Sequence, residues 1–144
     1  MAEDNTQAGN AAAANGQGQN VALPTVYVKD LSFEAPKGPF LPAQQGQQDQ
    51  EPKIQLNLTT SSSAIGTDVH EVVLTVTLEA KAGDIAVYLA EVKQAGVFTV
   101  RGFGADDTRR ILGSFAPNVL FPYIRQTVSD MISKGGFPPE LFED

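Results

Sequence analysis

Apolar and polar side chains alternate in four runs between residues 25 and 101, the period-two signature of half-buried strands. In the first run, residues 25–35, Val26 and Val28 share one face while Tyr27, Leu31 and Phe33 share the other. Asp30 and Glu34 interrupt the apolar series, and Pro36 ends it. The second run, 53–62, sets Ile54, Leu56 and Leu58 against Gln55, Asn57 and Thr59. The third, 69–81, is long, with Val72, Leu74, Val76 and Leu78 on one face and the mixed set Glu71, Val73, Thr75, Thr77 and Glu79 on the other. The fourth, 85–101, contains Ala95-Gly96, where a bulge or bend is expected. Turns at 61–67 and 82–84 are short, so runs two to four predict an antiparallel meander. One apolar face per strand requires a cover.

After residue 104 the period changes. Leu120, Ile124, Val128 and Ile132 recur every four residues, a helical stripe. Asp106-Asp107-Thr108 predicts the N-cap, with acid near the positive end of the helix dipole. Gly135-Gly136 predicts the stop. Pro117 and Pro122 fall inside this segment, and interior proline costs roughly 3 kcal/mol in a helix. A kink or a split is therefore expected. The class is α+β: a four-stranded antiparallel sheet with a long Pro-kinked helix packed on one face. The helix is apolar over more than one face, and so thin a domain is most simply completed by copies of itself.

Composition adds the flanks. Residues 1–23 are dominated by Ala, Gly, Gln and Asn and predict a disordered tail. Residues 24–138 form the predicted domain and 139–144 a short C-terminal tail. Residues 37–52, rich in Pro and Gln, form a long connection, of the kind that is usually functional. The chain has 144 residues, 42% of them hydrophobic, enough for one core. Without cysteine it can build no disulfide, zinc–thiolate site or thiol catalyst. The formal charge of −7 argues against nucleic acid as a partner. No apolar run approaches the roughly 20 residues of a membrane span, so no membrane insertion is expected. The opening Met-Ala-Glu-Asp-Asn is neither basic nor apolar and does not resemble a secretory signal. A soluble intracellular protein is expected.

Candidate chemistry is sparse. His70 is the only histidine and has no companion at metal-ligand spacing. Gly102-Phe103-Gly104 lacks the rest of a phosphate loop, and Asn57-Leu58-Thr59 lies mid-strand. Ser61-Ser62-Ser63 has no partner base and reads as a polar turn. Asp68 and Asp84 suit turns. No catalytic constellation, metal site or cofactor is predicted, so the expected protein is not an enzyme.

Two features ask for more. Asp30 and Glu34 share a face of strand one, as Leu89 and Glu91 share a face of strand four. With Glu71 and Glu79 they make an acidic outer face carrying an exposed leucine, either a solvated face or a docking patch. Phe40, Leu41, Phe137 and Phe142 lie outside the regular elements, as core plugs or as the lining of an apolar groove.

Several segments resemble the SecB family of bacterial protein-export chaperones. Residues 26–36, Val-Tyr-Val-Lys-Asp-Leu-Ser-Phe-Glu-Ala-Pro, resemble its opening strand. Glu71-Val72-Val73-Leu74 and Leu89-Ala90-Glu91-Val92 are similar to later ones. Most specific are Leu112-Gly113, then Ala116-Pro117-Asn118-Val119-Leu120-Phe121-Pro122-Tyr123, then Gly136-Phe137-Pro138. The chain departs where members carry a Trp just before the second strand, here Gln50, and in the segment after the Phe-Pro. The resemblance implies a homotetramer, a dimer of dimers with helices sandwiched between outer sheets, in the bacterial cytoplasm. It implies an ATP-independent holding chaperone, with no cofactor, that binds unfolded precursor proteins in apolar grooves and passes them to the ATPase SecA. SecA docking then falls on Asp30, Glu34, Leu89 and Glu91, and client contacts on Phe40, Leu41, Phe137 and Phe142. Residues 37–52 and the segment after Gly136 become the groove edges. The alternative is a SecB-like chaperone dedicated to a toxin–antitoxin system.

Overall fold

The alternating runs become four strands because each can bury one face while its backbone pairs with a neighbour. The structure, a computed structural model, describes residues 18–39 and 52–138. Strands β1 (Asn20–Glu34), β2 (Lys53–Gly66), β3 (Val69–Ala82) and β4 (Ile85–Arg101) form one antiparallel sheet in the order β1-β4-β3-β2. The meander β2-β3-β4 follows from its short turns. The connection over residues 35–52 is long enough to bring β1 to the far side of β4.

Four boundaries differ from the pattern. Strand β1 begins at Asn20, ahead of the expected start near Pro24, because ladder pairing extends a strand past its apolar residues. Strand β2 runs to Gly66, through the expected turn serines. Strand β4 is one strand across Ala95-Gly96. The helix starts at Ala105 with Gly104 as its N-cap and no side-chain cap bond. Asp106 and Asp107 therefore sit within the first turn, where they still meet the dipole and pair with Arg109 and Arg110 at i,i+3.

The described residues group into two compact units, and each strand and the long helix contribute a segment to each. The first comprises 18–27, 60–73 and 95–120. Its core includes Phe98 and Leu120, both at most 1% exposed. Gly96 is a site of close approach: a Cβ there would lie 2.9 Å from Leu120 Cδ2, 3.0 Å from Phe98 Cε1 and 3.1 Å from Leu23 Cδ1. Close packing is what the glycine serves here. At the sheet end, the Val100 N–H donates to the Asp68 carbonyl and Arg101 pairs with the Asp68 carboxylate at 3.5 Å.

This unit also holds α1 (Ala105–Arg110), a π-helical turn (Ile111–Phe115) and the start of α2 (Ala116–Lys134). The Ala116 N–H donates to the Ile111 carbonyl, the wider i→i−5 bond. The widened turn directly precedes Pro117, whose ring would crowd a regular turn. The expected split is thus a change of winding within a continuous helical segment.

The second unit comprises 28–39, 52–59, 74–94 and 121–138. Leu74, Val76, Leu78 and Val92 are at most 1% exposed, as are Ile124, Val128 and Ile132 of the predicted stripe. Each such side chain contributes about 1.5–3 kcal/mol by leaving water. Thr127 Oγ1 donates to Gln94 Oε1 at 2.9 Å, tying α2 to the β4 face below it. Pro122 is accommodated inside the helix, which continues to Lys134. The expectation that every apolar strand face is covered fails at β2. Ile54, Leu56 and Leu58 stay exposed because the strand order puts β2 at the sheet edge.

Candidate functional site

Two surfaces of the second unit carry the candidate residues, on opposite faces of the sheet. Leu31 and Phe33 of β1 line a cavity with Thr127, Met131 and Gly135, so strand alternation sends Asp30 and Glu34 to the other face. Both are exposed. On β4, Gln94 faces the helix, and the same alternation turns Leu89, Glu91 and Lys93 outward. Leu89 is 41% exposed. Strands β1 and β4 are neighbours in the sheet, so Asp30, Glu34, Leu89 and Glu91 occupy adjacent strands of one outer face.

Strand β3 supports this face. The Thr77 hydroxyl donates to Glu91 Oε2 at 3.4 Å, and Lys93 Nζ donates to Thr75 Oγ1 at 3.3 Å. Beside Leu89, a hollow of about 340 Å³ is lined by Gln55, Leu56, Asn57, Thr77 and Glu79. The surface combines carboxylates, the exposed leucines Leu56 and Leu89, and uncharged hydrogen-bonding groups.

In the first unit Tyr27 donates its phenolic proton to Glu71 Oε2. That bond, with burial and the carboxylate charge behind it, pushes the Tyr27 pKa above its ordinary value. Glu71, expected on the acidic face, thus has a neutral local partner.

The helix side is apolar. The end of α2 forms a double cap: the Phe137 N–H donates to the Ile132 carbonyl at 3.2 Å and the Gly136 N–H to Ser133 at 3.0 Å. Gly136 has φ +93°, the left-handed conformation this cap requires. The cap aims Phe137 back onto the sheet. Its ring centroid lies 4.9 Å from Tyr88 and 6.3 Å from Phe33. The Phe33–Tyr88 distance is 5.7 Å, so three aromatics form one cluster. Beside it lies the cavity of about 450 Å³, with Leu31, Phe33 and Met131 as apolar lining and Asp130 and Lys134 among its charged lining residues. Pro39, at the start of the long connection, approaches Gly136: a Cβ added there would be 3.1 Å from Pro39 Cγ.

Of the predicted groove residues, Phe137 is half-buried in the aromatic cluster. Phe40, Leu41 and Phe142 lie outside the described residues. Sequence reasoning missed Tyr88, Leu31 and Met131 on this side, and Thr75, Thr77 and Lys93 on the other. Tyr88 shares the β4 parity of the buried Ala90 and Val92, which is the signal that could have found it. Among the described residues there is no group of three or more His, Asp or Glu able to hold a metal ion. No helix there is long and apolar enough to cross a membrane.

Comparison with known proteins adds an independent finding. The profile of a family described as "Preprotein translocase subunit SecB" matches residues 14–144. A "Protein-export protein SecB" from Nitrosococcus oceani is 44% identical over 141 residues, covering 98% of this chain and 84% of that protein. The protein of the same name from Pseudomonas fluorescens is 42% identical over 129 residues, covering 90% and 79%. Among solved structures, a Mycobacterium tuberculosis SecB-like chaperone in complex with a ChAD peptide from the HigA1 antitoxin matches with TM-score 0.68. It is 15% identical, covers 86% of this chain and 90% of that one, and establishes likeness of fold.

Proposed function

The chain belongs to the SecB family, and from that premise we propose that it is an ATP-independent holding chaperone. It binds unfolded secretory precursors through apolar surface and delivers them to SecA. The observation that carries the reading is the separation of two surfaces in the second unit. The acidic set with Leu89 lies on the outer sheet face, and the aromatic cluster and its cavity lie on the helix side. A chaperone that holds and then hands over needs both surfaces open at once.

The groove works without a fixed sequence code. The exposed Leu31 and the half-buried Phe33 and Phe137 offer apolar contact area, backed by the buried Tyr88 and Met131. Unfolded precursors expose apolar groups that folded proteins bury, and this difference selects them. Phe40, Leu41 and Phe142 are proposed as further client contacts. No hydrolysis is involved, so release follows from SecA binding the loaded complex and shifting the equilibrium.

The working form is a cytoplasmic tetramer, a dimer of dimers, with the helices bent at Pro117 and Pro122 and packed between outer sheets. The exposed apolar residues Phe115, Tyr123, Ile54, Leu56 and Leu58 support association. The test is suppression of aggregation of a denatured precursor at tetramer stoichiometry, followed by capture of the loaded protein on purified SecA. Unslowed aggregation would overturn the holdase reading. Suppression confined to one client encoded beside the gene would favour the toxin–antitoxin alternative.

A further inference from the structure

Glu91 and Lys93 stand two residues apart on one face of β4, about 6.7 Å along the strand. Two long side chains of opposite charge at that separation can meet. Had they paired, the lysine would cancel the carboxylate at the centre of the proposed docking set. They do not: neither has an ion pair among the described residues. Each is taken up by a threonine of β3. The Lys93 ammonium donates to Thr75 Oγ1 at 3.3 Å, and Glu91 Oε2 accepts from the Thr77 hydroxyl at 3.4 Å. The two bonds lie in parallel, with Thr75 beside Lys93 and Thr77 beside Glu91. All four side chains are half-buried, where a hydrogen bond is less diluted by water.

A threonine hydroxyl satisfies either charge without neutralising it. We propose that Thr75 is a positioning residue that holds Lys93 away from Glu91, so that Glu91 meets a cationic partner segment with its charge uncompensated. The partner chemistry is a Lys- or Arg-bearing segment, and the inference rests on the reading of this face as the SecA docking surface. Thr77 serves the same end from the other side by orienting the carboxylate. The arrangement needs no acidic residue beyond those already named.

The test is isothermal titration of SecA into the full-length protein at low salt. Thr75→Val keeps the branched shape and removes only the hydroxyl. Lys93 is then free to pair with Glu91, and the SecA dissociation constant should rise about threefold, the effect of one partly screened ion pair. Thr75→Val with Lys93→Met should return to wild-type affinity or tighter. Thr75→Ser keeps the hydroxyl and should bind as wild type. Aggregation suppression should be unchanged in all three variants, which also shows that they fold. Wild-type affinity in Thr75→Val, or a double variant that stays weak, overturns the role of Thr75. Glu91→Gln separates the premise: if it also binds SecA as wild type, the docking reading itself falls.

Discussion

The Tyr88 and Phe137 rings meet with centroids 4.9 Å apart and planes tilted by 51°. One comes from the middle of the sheet and the other from just beyond the last turn of the helix. A local event, the glycine cap of α2, therefore decides where the Phe137 ring stands. Phe137→Ala removes one ring of the cluster and should cost about 1–2 kcal/mol in urea unfolding. It should also weaken binding of an unfolded precursor. Unchanged stability together with unchanged client affinity would show that Phe137 is neither plug nor lining.

The proposed docking set predicts a separation of functions. Asp30→Ala with Glu34→Ala should weaken SecA binding while client binding persists, because both carboxylates lie on the face away from the aromatic cluster. Two titrations, one with SecA and one with a denatured precursor, check this. Equal loss in both would place the two sites on one surface.

Assembly gives a third expectation. A tetramer of 15.3 kDa chains scatters light as a particle of about 61 kDa. A single 15.3 kDa species across micromolar concentrations would refute the sandwich of helices between sheets.

The Tyr27–Glu71 bond should make stability depend on alkaline pH. The folded phenol has a raised pKa, so its neutral form is the stabilised one. The contribution is fully present below the unfolded value of about 10 and is lost as pH rises through the folded value. Tyr27→Phe should therefore cost about 1 kcal/mol at neutral pH. The difference between variant and wild type in urea melts should shrink above pH 10. A gap that stays constant to high pH would mean that the ring's packing, not the proton, sets the cost.

Gly96→Ala tests the close approach in the first unit. Its Cβ would come within 2.9–3.1 Å of Leu120, Phe98 and Leu23. Overpacking of this kind costs about 1–3 kcal/mol. A variant as stable as wild type in thermal unfolding would show that Leu120 and Leu23 yield freely.

Much of this was legible in the residues. Alternation marked all four strands, and Val72, Leu74, Val76 and Leu78 are the buried face it named. The four-residue stripe from Leu120 to Ile132 is the buried side of α2, and Gly135-Gly136 ends it. Period-two and period-3.6 burial are local consequences of backbone geometry, so one sequence carries them. Parity likewise put Asp30, Glu34, Leu89 and Glu91 on common faces.

Tertiary structure decided what periodicity leaves open. It put β1 beside β4, which unites the acidic pairs, and left β2 at the edge with Leu56 and Leu58 uncovered. It made Gly104 the N-cap in place of the expected Asp106-Asp107-Thr108, and set Gly96 against Leu120. It also chose the partners of Lys93. Strand order, close packing and side-chain pairing depend on residues far apart in the chain. No pattern within one segment states which distant neighbour will lower the free energy most.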